Sequence, residues 1–145
     1  MTRINSAISP RRLTDQHLIA ELRELPRIFT AVQKRIDDDR EFDDIPKIFT
    51  LGFGHMKFFY DKLSFLNLRH SQLRYEYNRR YDKQWPYIIN VDKCPSLLYN
   101  QYSPTSEEKK LLIERISKRI IESKQIPKYE RKSISKEDAI KLLTQ

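Results

Sequence analysis

The chain has 145 residues, a formal net charge of +8 and a hydrophobic share of 39%, which suit one folded domain and point to a polyanionic partner, most simply nucleic acid. Its single cysteine, Cys94, excludes an internal disulfide and fits a reducing compartment. No apolar run reaches the ~18 residues of a transmembrane helix, and the start of the chain lacks the apolar core of a signal peptide, so the expectation is a soluble, intracellular protein with no membrane partner.

The spacing of Leu18, Leu22, Leu25, Phe29, Val32 and Ile36 predicts a first amphipathic helix over residues 14–36. Thr14 caps it, and Leu13 and Leu18 form its hydrophobic staple. Pro26 falls inside the pattern and kinks it, since proline removes one backbone hydrogen bond. The acidic stretch from Asp37 to Asp44 reads as a solvated connector rather than a cation site. Leu51-Gly52-Phe53-Gly54-His55 holds the only two glycines of the chain. It lacks the Lys and Ser/Thr of a phosphate loop and reads as a turn before a helix.

A second helix is expected over residues 57–80, with Phe59, Leu63, Leu66, Leu73 and Tyr77 buried and the neighbouring aromatics belonging to the core. Residues 81–103 read as a long irregular loop, with a brief extended piece at Tyr87-Ile88-Ile89. Cys94, followed by Pro95, reads as structural rather than as a catalytic thiol. A third helix starts near Thr105, where Thr105 and Glu108 have capping-box spacing, and ends at Pro127. Leu112, Ile116 and Ile120 line its apolar side; Arg115 and Arg119 share its basic one. The tail forms a short solvated helix within residues 133–143, capped at Ser135, as an extension over 134–145. The fold expected is therefore all-α: one compact domain over residues 1–145, with three main helices and long irregular loops.

The wet side of the first helix gathers Gln16, His17, Arg23, Glu24 and Arg27. On an ideal wheel His17 and Glu24 nearly eclipse, and Arg27 lies ~60° from Glu24. One reading of Glu24 is a surface acid paired with Arg27, worth ~0.3–0.5 kcal/mol. Another is chemical. The small Thr2 permits trimming of Met1, which leaves an α-amine on Thr2; such amines have an ordinary pKa near ~7.7–8 and nearby arginines favour the neutral, nucleophilic form. An ionised Glu24 would then stabilise an oxocarbenium-like sugar and move protons in a later elimination. His17 has three roles open to it: proton carrier, phosphate contact or helix-start hydrogen bonder. His55 and His70 show no metal-ligand spacing, so neither a metal nor an organic cofactor is expected.

Met1-Thr2-Arg3-Ile4-Asn5, the block from Asp15 to Arg27, Leu51-Gly52-Phe53-Gly54-His55, and Phe58-Phe59-Tyr60-Asp61-Lys62-Leu63 with Phe65-Leu66 together resemble the phage endonuclease V family of pyrimidine-dimer DNA glycosylases with abasic-site lyase activity. The motifs are in order and near family spacing, with one extra residue between Asn5 and Thr14. The resemblance implies a monomer that clamps double-stranded DNA containing damaged pyrimidines, kinks it and flips a base. It implies Thr2 as nucleophile, Glu24 as the catalytic glutamate, and Arg3, Gln16, His17, Arg23 and Arg27 as DNA-contacting or pocket residues. Arg115 and Arg119 match a basic pair on the family's third helix and so imply phosphate contacts. The family's aromatic-rich tail is reduced here to Tyr129. Two other functions stay open: the same scaffold acting on another damaged base or an abasic site, and a non-catalytic basic DNA-binding domain.

Overall fold

The computed structural model describes residues 3–145. It is built from helices around one core, and its only described sheet is a two-stranded hairpin. After an extended amino-terminal segment and a short 3-10 turn at Pro10–Arg12 come α1 (Asp15–Glu24), α2 (Pro26–Asp37), α3 (His55–Phe58), α4 (Leu63–Tyr81), α5 (Ser106–Glu122), the strands β1 (Lys128–Tyr129) and β2 (Lys132–Ser133), and α6 (Lys136–Thr144). α1 packs on both α2 and α4, and α6 packs on α5. Leu18, Leu22 and Leu25 of the first helical stripe are fully buried with Leu63, Leu66 and Leu73 of α4 and Leu112 and Ile116 of α5.

The expected first helix is present, divided at Leu25–Pro26 into α1 and α2. Thr14 accepts the backbone N–H of His17, and Leu13 and Leu18 are both inaccessible to solvent, as a staple requires. Leu25 keeps right-handed helical angles, so α1 runs into α2 without a loop. Pro26 has no N–H to give the carbonyl four residues earlier, that of Leu22. The buried His70 of α4 lies beside the Leu22 backbone, which raises its imidazole pKa, but burial prevails and lowers it to about 4.

The expected second helix is broken. α3 ends at Phe58, and the chain turns through Phe59–Lys62 on short-range bonds, among them Lys62 N–H to Phe59 O at 3.0 Å. α4 then begins with its Leu63 N–H donated to Leu98 O at 3.1 Å. A distant loop thus caps the helix start, which no local pattern signals. Gly54, at φ +96°, makes the turn into α3, as expected for a glycine before a helix. The aromatics and leucines of residues 58–66 belong to the core: Phe58, Phe59, Leu63 and Leu66 are buried, and Phe65 packs against them half-buried.

Two further differences concern the second half. α5 starts as expected, with Thr105 accepting Glu108 N–H, but stops at Glu122, well before Pro127. Lys136 Nζ donates to the carbonyls of Ile121 and Ser123 there, satisfying the freed helix end. The tail helix α6 is capped by Ser135 as read, yet it is not merely solvated: Ala139 and Leu143 are fully buried against the core. Tyr87-Ile88-Ile89 forms no strand, whereas the hairpin β1–β2 does form, through positive φ at Glu130 and Arg131. The acidic connector is anchored at one end, since Asp44 takes both Arg35 Nη1 at 2.7 Å and Arg35 Nη2 at 2.9 Å. No helix among the described residues is long and apolar enough to cross a membrane.

The interior also carries charge. Glu21 of α1 is buried and receives Arg69 Nε at 2.6 Å and Nη2 at 3.0 Å, while Arg69 Nη1 reaches Ile8 O at 2.7 Å. Arg80 of α4 donates to Asp15 Oδ1 at 2.9 Å and to Glu76 Oε1 at 2.8 Å. Asp15 in turn accepts the N–H groups of Glu130 and Arg131, so α1, α4 and the hairpin meet at one carboxylate.

Candidate nucleic-acid interface and catalytic site

The extended amino-terminal segment lies along α1. Its Ile4 side chain is fully buried. Asn5 gives its backbone N–H and its Nδ2 to Glu21 Oε1, at 3.3 and 2.9 Å. Ser6 Oγ donates to Glu108 Oε2 at 3.3 Å, tying the segment to α5. One turn beyond Glu21, Glu24 Oε2 accepts the backbone N–H of Arg3 at 3.3 Å. α1 therefore tracks the first residues of the chain with two carboxylates a helical turn apart. The deeper one holds Asn5, and the half-buried one faces Arg3. Thr2 lies outside the described residues.

Cations surround that second carboxylate. Arg115 of α5 is pulled down to about 10, first by burial and then by Arg119 and Arg3, with Glu24 opposing. Arg3 is lowered by burial and by Arg119, again against Glu24. Arg119 thus acts electrostatically on both Arg3 and Arg115, and Glu24 opposes it at each. Three guanidinium groups around one carboxylate leave an excess of positive charge, which a phosphate neutralises.

His17 belongs to the same neighbourhood but is not free chemistry. Its Nδ1 shares a hydrogen with Thr14 Oγ1 at 2.8 Å, the helix-start role. Burial, with Arg115 next, lowers its pKa to about 4, so it is neutral at physiological pH. His17 and Arg119 both line a groove of about 570 Å³ between α1 and the end of α5. Gln16, at the rim, donates Nε2 to Ile126 O at 2.8 Å and accepts Lys128 N–H at 3.0 Å; it fastens the segment after α5. Arg23 and Arg27 stand exposed on the outer side of the helix pair, and Glu24 makes no ion pair with Arg27 among the described residues.

The structure thus gathers Arg3, His17, Glu24, Arg115 and Arg119 in one place and sets Arg23 and Arg27 at its flank. Sequence reasoning missed Glu21, Arg69 and His55, which act on the amino-terminal segment from the interior. It also missed a second groove of about 720 Å³ that runs from Arg23 and Pro26 past Tyr77 to Trp85 and Tyr87. Tyr77 and Trp85 meet edge to face at 5.0 Å in its wall. Tyr129, the one aromatic of the reduced tail, is committed elsewhere: its hydroxyl donates to Arg11 O at 2.7 Å and its ring lies 4.5 Å under the Arg80 guanidinium. Cys94 is half-buried and burial raises its thiol, consistent with a structural side chain.

A family model described as pyrimidine dimer DNA glycosylase matches residues 1–88, from the amino-terminal segment through α4 and into the loop after it. The match takes in Arg3, His17, Arg23, Glu24 and Arg27, and stops before α5. The chain belongs to the pyrimidine dimer DNA glycosylases, a DNA repair family whose substrate is DNA.

Proposed function

We propose that the protein cleaves the glycosidic bond at cyclobutane pyrimidine dimers in duplex DNA through the α-amine of Thr2, and then nicks the strand by β-elimination. The observation that carries this reading is the Glu24 carboxylate at 3.3 Å from the peptide nitrogen of Arg3, the atom to which Thr2 is bonded. A carboxylate so close to the start of the chain, inside a ring of arginines, suits one reaction class. The neutral amine attacks C1′ of the damaged nucleotide, and the base departs with the bonding electrons. Glu24 stabilises the positive charge that grows on the sugar. The adduct loses a proton from its nitrogen, the sugar ring opens at the C1′–O4′ bond with O4′ taking up a proton, and the resulting iminium acidifies the C2′ proton. Glu24 removes it, the 3′ phosphate leaves, and water returns the amine.

Arg3, Arg115 and Arg119 would hold the phosphates flanking the lesion, with Arg23 and Arg27 on the neighbouring stretch of backbone. An extruded base needs apolar walls and an open mouth, which the groove between Arg23, Tyr77 and Trp85 offers. The protein would act as a monomer without metal or organic cofactor. The tethering of Tyr129 favours a second reading of the lesion only: with its one tail aromatic held by Arg11 and Arg80, the same chemistry could extend to other damaged bases or abasic sites.

Sodium borohydride tests the mechanism. On dimer-containing duplex the native protein should give a covalent adduct that maps to the amino-terminal peptide, and a variant that retains Met1 should give none. An adduct on a lysine, or undiminished trapping with Met1 retained, overturns the reading. Binding has its own signature. Arg119→Ala should lower duplex affinity and reduce the slope of log affinity against log salt by about one. An unchanged slope in a fluorescence-anisotropy titration would remove Arg119 from the phosphate contacts.

A further inference from the structure

Beyond the groups that touch DNA, one buried side chain stands against the amino-terminal segment from the opposite side to Glu24. His55 opens α3 immediately after the Gly54 turn and is about 1% exposed. Its Nε2 receives the backbone N–H of Ile4 at 2.9 Å. Its Nδ1 lies 2.7 Å from Thr50 O, a carbonyl that can only accept. These two partners fix the tautomer: the hydrogen is on Nδ1, and Nε2 offers its lone pair. The ring is gripped edge to face by Phe49 at 5.5 Å and Phe59 at 5.3 Å.

The charged groups acting on the imidazole are Arg3 from the amino-terminal segment, Glu21 from α1 and Arg115 from α5. Burial outweighs them and keeps the imidazole near about 4, so Nε2 remains an acceptor throughout the neutral range. The neighbouring peptide groups have their own partners: Arg3 N–H goes to Glu24 and Asn5 N–H to Glu21. Three consecutive backbone donors are thus received by three side chains from two elements, where an extended strand would ordinarily pair with another strand.

We infer that His55 is a positioning residue for the reaction, holding Ile4 so that the residue two places earlier is presented to the sugar beside Glu24. The inference rests on the Thr2 reading and adds a residue that never meets the substrate. It has a specific chemical requirement, an acceptor at the Nε2 position. Glutamine can place its amide oxygen there; asparagine is one methylene short and reaches only the Nδ1 position; phenylalanine keeps the ring packing and offers no acceptor.

The experiment compares His55→Phe, His55→Asn and His55→Gln with the native protein on an abasic-site duplex. Three quantities are measured: single-turnover borohydride trapping, duplex affinity, and amide exchange at Ile4. His55→Phe and His55→Asn should trap at least about tenfold more slowly, because small misplacements of a reacting group are costly. Their affinity should hold and Ile4 exchange should quicken. His55→Gln should recover both trapping rate and Ile4 protection. Native-like trapping by His55→Phe, or equal slowing in His55→Asn and His55→Gln, overturns the inference. If His55→Phe does not fold, the Asn/Gln contrast decides. Absence of any adduct with the native protein would instead strike the Thr2 reading, so the two failures are distinguishable.

Discussion

Glu24→Gln should slow cleavage of dimer-containing duplex by about 10²- to 10⁴-fold, the range for loss of a positioned acid–base group. The amide is nearly isosteric and can still accept the Arg3 N–H, so the amino-terminal segment keeps its place. What disappears is the negative charge. Departure of the base leaves a cation on the sugar, and the elimination that follows needs a base at C2′; an uncharged amide serves neither. Duplex binding should hold or tighten, because a carboxylate among Arg3, Arg115 and Arg119 repels the phosphates those residues attract. Single-turnover cleavage together with anisotropy separates the two effects. Native cleavage by Glu24→Gln would show that the carboxylate is only a surface acid.

The second large effect is on stability. Arg69→Ala should cost about 3–5 kcal/mol in urea denaturation, because it strands a buried carboxylate without its cation. Glu21 is about 1% exposed and cannot recover solvation by turning outward. Ile8 O loses its donor as well. Set against a total stability of about 5–15 kcal/mol, that is a large fraction. Replacing both partners, as Glu21→Leu with Arg69→Met, should recover most of the lost stability, since apolar pairs of similar volume often do as well as buried ion pairs. The double variant should still react slowly, because Asn5 loses the acceptor for its N–H and Nδ2 groups. Loss of less than about 1 kcal/mol in Arg69→Ala, smaller than a typical hydrogen bond to charge, would contradict the ion pair's structural role.

The features legible in the sequence are those encoded locally. The leucine stripe of α1, the Thr105 and Ser135 caps and the interruption at Pro26 each depend on residues within a turn or two, and each is where the pattern put it. The break after Phe58 depends on Leu98 O, and the end of α5 on Lys136; neither partner is near in sequence. The same distinction runs through the site. Glu24 and the arginines were legible because a wheel and a resemblance both marked them. Glu21 and Arg69 carried no local mark, because ionisable residues are rarely buried unless paired and this pair spans 48 positions. His55 was marked only as part of the motif over residues 51–55, without a role: its partner is a backbone N–H, which every residue but proline carries.

The join at Pro26 has a consequence for how the protein meets DNA. A proline in a helix usually makes a soft point, because a carbonyl is released and the turn can open. Here Leu22, Leu25 and His70 are all inaccessible to solvent, and the helical angles persist across the join. The join is therefore held as a splint holds a limb, packed into the core on its inner side. With that stretch unable to yield, distortion in the complex falls on the duplex, and a lesion that already loosens its own stacking gives way first.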